Sequence, residues 1–301
     1  MSERNRGAWT DAKSARLKTV LGVLKDLRTY WPLTLRQVYY QLVASGVIAN
    51  NVGEYKKLSQ LLSQARIDEL LPWEALEDRA RSMQSNTGFP NKETFIQASL
   101  EYFLSGYERD KLQNPPTRPE VWVEKDALSR VCGRAAEEYG VNVIVARGFS
   151  SVSFLHDCAK RAKACDNDGQ SLHILYFGDM DPSGYEMLPA MLATLNEMHV
   201  SNVSSTRCAL TTEQITAYAL PHNPDALKWT DSRAKKYVSE FGELAVELDA
   251  LRPDILEQLV RDSIEDVLDM TLYDAELQQE QQDKTELDAY KKKVKKLLGV
   301  K

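Results

Sequence analysis

From residue 121 to residue 210 the chain repeats one pattern: a short apolar run, often β-branched, then a stretch with helical spacing. VWVE (121–124), VNVIVAR (141–147), SLHILYF (171–177) and SSTRCAL (204–210) read as strands, with helices expected at 126–138, 151–164 and 184–198. Apolar strands separated by helices point to a parallel sheet covered on both faces, because parallel neighbours need a long crossover and a helix supplies it. The fold class is therefore α/β. From about residue 253 the spacing is helical to the last residue.

Helices also precede the sheet. Leu17, Val20, Leu21, Val23, Leu24 and Leu27 share one helical face within residues 10–30. Trp31 and Pro32 close that segment, Thr34 is placed to cap LRQVYYQLVASG, and Gly46 to stop it. EYKKLSQLLSQARIDELLP follows, with a polar, basic outer face. Three helices on short connections, then EALEDRARSMQ (74–84) as a wing, fit a winged-helix or helix-turn-helix module. KETFIQASLEYFLSGY adds a further helix. ERDKLQNPPTRPE is polar with three prolines and reads as a linker. The expected division is 1–107, a winged-helix domain; 108–120, the linker; 121–252, the sheet domain; and 253–301, a helical C-terminal region.

The 301 residues suffice for two cores of ordinary size. Cys132, Cys158, Cys165 and Cys208 form no CxxC pair and are expected reduced. No apolar run approaches the ~20 residues of a membrane span, and the charged start does not read as a secretory signal, so a cytoplasmic location is expected. The net charge of −6 is unevenly spread: residues 1–90 carry about 13 Lys and Arg against about 9 acids, while 243–290 carry about 15 acids against about 3 bases. A basic front and an acidic rear leave nucleic acid open as a partner, since a local basic face is what counts. Lys56, Lys57 and Arg66, on the third helix, are the candidate phosphate contacts; a merely solvated face is an even alternative.

Two strands end in acid. VWVE puts Glu124 at its tip, and ILYFGDMDPSG puts Asp179 and Asp181 just beyond the next apolar strand. In an open α/β sheet ligands bind outside the carboxyl ends of the strands. Carboxylates converging there repel unless a cation lies between them, and oxygen ligands of this kind suit Mg²⁺ or Mn²⁺. Taken singly, each acid reads more simply as a surface or turn residue, Asp181 as a helix cap. His156, His173, His199 and His222 are scattered without zinc spacing, and no GxxxxGK[ST] loop is present.

In TLRQVYYQL, Arg36 and Tyr40 are four apart and share a helix face, while Tyr39 points elsewhere and packs. A guanidinium beside a tyrosine can stabilise a phenolate or hold a phosphate. From this stretch alone, two packed tyrosines are the simpler reading.

R-x-x-Y-Y in a winged helix, a strand ending in Glu, and D-x-D-P-x-G after an apolar strand together resemble the A subunit of type IIB topoisomerases (topoisomerase VI). They are similar as well to the related meiotic double-strand-break protein. The resemblance implies a winged-helix (CAP-like) domain followed by a Rossmann-like Toprim domain. It implies Mg²⁺-dependent DNA strand cleavage in which Tyr40, assisted by Arg36, attacks a phosphodiester and stays on the 5′ phosphate. Glu124, Asp179 and Asp181 would hold the metal, Glu247 would be a nearby acid, and a homodimer would be the working unit, because in that family the tyrosine of one protomer works beside the Toprim metal of the other. A separate ATPase partner stays open, because the chain itself shows no ATPase domain. Toprim domains also serve nucleases that need no tyrosine, so a metal-dependent hydrolytic nuclease or nickase is the alternative, and a non-catalytic DNA-binding module a third reading.

Overall fold

The computed structural model describes residues 8–77, 88–146, 151–223, 227 and 233–297. Its first helices begin where capping side chains stand. Thr10 accepts from the Lys13 amide and opens α1 (Asp11–Asp26). Thr34 and Gln37 form a reciprocal capping box that opens α2 (Leu35–Ala44). Asn51 caps α3 (Val52–Ile67), and Asn91 caps α4 (Lys92–Tyr102), a helix that buries none of its residues. Residues 78–84 of the expected wing lie outside the described residues. The part that is described makes a single parallel bridge, Leu76 with Leu33.

The alternating pattern then takes form as β1 (Thr117–Val123), α5 (Asp126–Tyr139), β2 (Asn142–Val145), α6 (Val152–Asn167), β3 (Ser171–Phe177), α7 (Pro182–Glu197) and β4 (Val203–Ala209). The strands form one all-parallel sheet in the order β2-β1-β3-β4. β1 starts at Thr117, four residues before VWVE and inside the segment read as linker. Pro119 is tolerated there because β1 pairs with β3 from Thr117 onward but meets β2 only from Glu120, so beside Pro119 one side of the strand is still an edge. The rest of that segment is tied down: Tyr107 donates to Asp283 at 2.6 Å, and the Arg109 amide to Glu280 at 2.9 Å. Gln113 donates to Glu276 at 2.6 Å.

Strand residues alternate between faces, as a period of two demands. Val121, Val123, Leu175 and Phe177 enter one apolar cluster, and Trp122, Ile174 and Tyr176 the other. α6 and α7 cover the second face. α5 and α10 (Pro253–Glu265) cover the first, with α8 (Thr212–Ala217) and α9 (Ala234–Phe241) between them in the chain. The first cluster is continuous with the N-terminal helices, from Leu17, Leu24 and Tyr40 through Leu248 and Ala250 to Leu256. α11 (Met270–Leu297) supplies the acids that grip residues 107–113. Among the described residues no helix is long and apolar enough to cross a membrane.

Candidate functional site

β1 runs on to a strand on one side of it, and β3 to a strand on the other. The crevice between their carboxyl ends is the point where the strand order reverses, where open α/β sheets bind ligands. Glu124 is the first residue past β1 and Asp179 the second past β3; the Glu124 amide donates to the Phe177 carbonyl at 2.9 Å. The Asp179 amide donates to Glu124 Oε2 at 2.9 Å. Asp181 caps α7, its Oδ1 accepting from the Ser183 amide and hydroxyl, both at 2.8 Å, and from the Gly184 amide at 2.7 Å. Gly184 has to be glycine: a Cβ there would meet the Asp179 carbonyl oxygen at 2.5 Å and Glu124 Oε2 at 3.1 Å. Arg207, on β4, braces the same loop by donating to the carbonyls of Gly178 (3.3 Å), Asp179, Gly184 (3.1 Å) and Leu210 (3.1 Å).

The segment after α9 closes the crevice. Met180 and Val246 exchange amide hydrogen bonds of 2.9 Å, and the Leu248 amide donates to Asp179 Oδ1 at 2.8 Å. Glu247 and Asp249 are thereby set beside Asp179. The cation among them is Lys125: its Nζ lies 2.8 Å from Asp179, 2.9 Å from Glu247 and 2.7 Å from Asp249. Sequence reasoning placed a metal ion between the acids and gave neither Lys125 nor Asp249 a part in the site. Both had a legible signal, Lys125 as the neighbour of Glu124 and Asp249 two residues past Glu247 in V-E-L-D.

α2 reaches the same place. Arg36 ion-pairs with Glu247, and its Nε lies 3.7 Å from Asp249 Oδ2. Tyr40, only 2% exposed, sets its hydroxyl beside Glu247. Tyr39 packs as expected, its ring edge-on to those of Tyr40 and Tyr55 and its hydroxyl donating to Asn50 Oδ1 at 3.0 Å. Residues separated by more than 200 positions thus share one constellation.

Its electrostatics follow from burial against pairing. Burial pushes Glu247 up, but Lys125 and Arg36 outweigh it and hold the carboxyl below its ordinary value. Burial and the Glu247 charge push the Tyr40 hydroxyl well above its ordinary value, against the pull of Arg36. Burial would lower Lys125, yet Asp179, Asp249 and Glu247 raise it. Glu124 is raised, first by burial and further by the Asp181 charge, even though the Asp179 amide and Lys125 work against this. Burial raises Asp179 to about 7, against Lys125 and with Glu124.

Among the described residues no three His, Cys, Asp or Glu side chains form a ready-made cage for a metal. The donor chemistry nevertheless fits Mg²⁺ or Mn²⁺. Among the described residues Glu124 Oε1 and Asp181 Oδ2 make no hydrogen bond, and the two carboxylates repel each other. Mg²⁺ is commonly held by one or two carboxylates, water and substrate phosphate rather than by an all-protein cage. Asp179 stands differently, with one oxygen on the Leu248 amide and the other on Lys125.

The three basic candidates separate. Lys56 is exposed, and Lys57 is exposed with its Nζ 2.7 Å from Glu54. The Arg66 guanidinium lies 4.6 Å from the Trp73 ring, and its Nη2 donates to the Trp73 and Leu76 carbonyls, both at 2.9 Å. It fastens α3 to the turn that follows.

Set against protein-family models, curated proteins and solved structures, the chain matches none.

Proposed function

We propose that the chain cleaves DNA strands by a divalent-metal-dependent transesterification with Tyr40 as nucleophile, in a winged-helix plus Toprim arrangement like that of the topoisomerase VI A subunit. The observation that carries this reading is the convergence of Arg36 and Tyr40 on the crevice that holds Glu124, Asp179 and Asp181.

Each residue then has a task. Arg36, its side chain 45% exposed, faces a cleft of about 400 Å³ and can hold a phosphate at its rim. Glu247, kept ionised by its two cations, takes the Tyr40 proton. The phenolate oxygen forms the bond to phosphorus, the P–O3′ bond breaks, and the 3′ oxygen leaves as a hydroxyl after taking a proton from water. Lys125 keeps Asp179, Glu247 and Asp249 together as the proton arrives. Five carboxylates stand around this crevice and would repel a DNA phosphate. A Mg²⁺ or Mn²⁺ ion held by Glu124 and Asp181, with Asp179 beside them, would supply the charge that draws the phosphate in and stabilises its oxygens. Tyr40 meets the acids of its own chain, which departs from the family's pairing of one protomer's tyrosine with the other's metal, so the homodimer rests on the resemblance alone. DNA would track the exposed lysines Lys56 and Lys57 at the front.

A supercoiled-plasmid assay tests the reading. With Mg²⁺ or Mn²⁺ the wild type nicks or linearises the plasmid, and Glu124→Gln or Asp181→Asn reduces this at least a hundredfold. Cutting that survives both substitutions would place the chemistry elsewhere.

One observation favours the hydrolytic reading, in which water attacks in place of Tyr40. The Tyr40 hydroxyl is buried and its proton is held tightly. In that case Tyr40 and Arg36 serve to dock α2 on Glu247, and the cut end carries no protein.

A further inference from the structure

Beside Tyr40 lies a cavity of about 220 Å³, lined by Arg36, Tyr39, Tyr40, Asn51, Tyr55 and Asn223, among others. Its features are unlike those of the acid crevice. No carboxylate lines it, and its walls are aromatic: Tyr39 stands edge-on to both Tyr40 and Tyr55, with ring centroids 5.2 Å apart in each pair. Val52 also lines it and is 61% exposed, an apolar side chain at a helix start with nothing of this chain over it among the described residues.

The polar groups at the walls are half spent. Asn51 uses Oδ1 to cap α3, accepting from the Glu54 amide at 2.9 Å, and its Nδ2 makes no bond among the described residues. Asn223 uses Nδ2 to donate to Glu247 Oε1 at 2.8 Å, and its Oδ1 likewise makes none. The cavity therefore offers one amide donor, one amide acceptor, aromatic walls and, at its border, the Arg36 guanidinium. A small aromatic heterocycle with hydrogen-bonding edges and a phosphate nearby matches that set; a divalent cation does not. The space falls below the ~300–1,000 Å³ of sites for drug-sized ligands and suits a single ring system.

We propose that this cavity takes one unpaired nucleobase of the bound DNA strand, resting on the tyrosines and hydrogen-bonded by Asn51 and Asn223, with its phosphate at Arg36. The proposal rests on the DNA-cleavage reading above and extends it: the base next to the attacked phosphate leaves its stack, and single-stranded or unpaired sites become the preferred substrate. The physical basis is that bases stack on aromatic side chains whatever their sequence, whereas phosphate contacts position the strand without reading it. Asn223 connects the two halves of the site, since the amide that borders the base cavity also bonds the carboxylate that faces Tyr40.

The test is a binding measurement on the full chain with Ca²⁺ in place of Mg²⁺, so that the acids keep a cation to draw the phosphate in while cleavage is slowed. Three probes are compared: a single-stranded oligonucleotide carrying one 2-aminopurine, the same oligonucleotide made abasic throughout, and a free deoxynucleoside monophosphate. The expected result is a change of 2-aminopurine emission on binding and an abasic oligonucleotide held at least fivefold more weakly. Tyr55→Leu should remove that preference, and Tyr55→Phe, which keeps the ring, should retain it. Equal affinity for the normal and abasic strands overturns the base cavity while leaving DNA binding intact, and that comparison needs no variant. Tight, Tyr55-dependent binding of the free monophosphate with no preference between the strands overturns it in favour of a free nucleotide. Binding of none of the three overturns it together with the DNA reading.

Discussion

Glu247 is the residue on which most of the chemistry turns. Lys125 Nζ, the Arg36 guanidinium and the Tyr40 hydroxyl all meet it, with Asp179 and Asp249 as its acidic neighbours. Its carboxyl titrates below the ordinary 4.5, so across neutral pH it is ionised and able to accept a proton. Tyr40 lies above its ordinary 10.0, so almost none is ionised unaided. The sign of the pH effect follows. With Glu247 in place, the cleavage step should rise once as Asp179 ionises near pH 7 and stay level from there to pH 9. In Glu247→Gln the base is gone, and the rate should fall at neutral pH by about 10²–10⁴-fold and climb with pH toward the tyrosine's own ionisation. Single-turnover rates across that range check this; a level profile in Glu247→Gln would remove Glu247 from the proton path. The sequence had given Glu247 only through the family resemblance. The Lys125 contact that holds Glu247 is between residues 122 positions apart in the chain, which no local pattern could reveal.

At the scale of elements, the capping box at Thr34 sets the site's geometry, because the first turn of α2 carries Arg36. Thr34 and Gln37 satisfy two amides that would otherwise be unpaired at the helix start. Thr34→Ala should cost about 1 kcal/mol of stability, measured by urea unfolding, and should slow cleavage more than Thr10→Ala, whose cap serves a helix away from the site. The Thr34 cap was legible in the sequence, as were the strands 171–177 and 204–210 to within a residue, because apolar runs bounded by polar turns are local signals. The start of β1 was not. Three prolines marked 108–120 as linker, and only the sheet order reveals that Pro119 sits on a side of β1 that has no neighbour yet. The Arg66 contact with Trp73 was illegible for a similar reason: its aromatic partner lies seven residues on, past the helix end, where helical spacing no longer indicates who faces whom.

For the whole molecule, the site is where the N-terminal helices, the sheet and the segment after α9 meet, and Lys125 with Arg36 supplies the charge that lets them meet. Three buried acids, Asp179, Glu247 and Asp249, surround one ammonium, and one apolar cluster runs on past them through the chain. Removing the partner of buried charges is far more damaging than the net worth of the pairs themselves. Lys125→Met should therefore cost about 3–5 kcal/mol, seen as a lower urea midpoint with an unchanged slope. A loss under about 1 kcal/mol would mean that the acids are neutral in the folded chain. The overall α/β class and the two groups of candidate residues could be read from the sequence. Their union could not, because it depends on a two-residue bridge between Met180 and Val246 with no composition signal.

The central claim is that Tyr40 becomes joined to DNA, and one measurement addresses it directly. Wild type and Tyr40→Phe are incubated with supercoiled plasmid and Mg²⁺ or Mn²⁺, stopped with detergent, and the broken DNA is examined with and without protease for protein on its 5′ ends. The account predicts protein-linked 5′ ends from the wild type and none from Tyr40→Phe, together with loss of cutting. Free ends released at equal yield by both proteins would contradict it and leave a hydrolytic nuclease in its place.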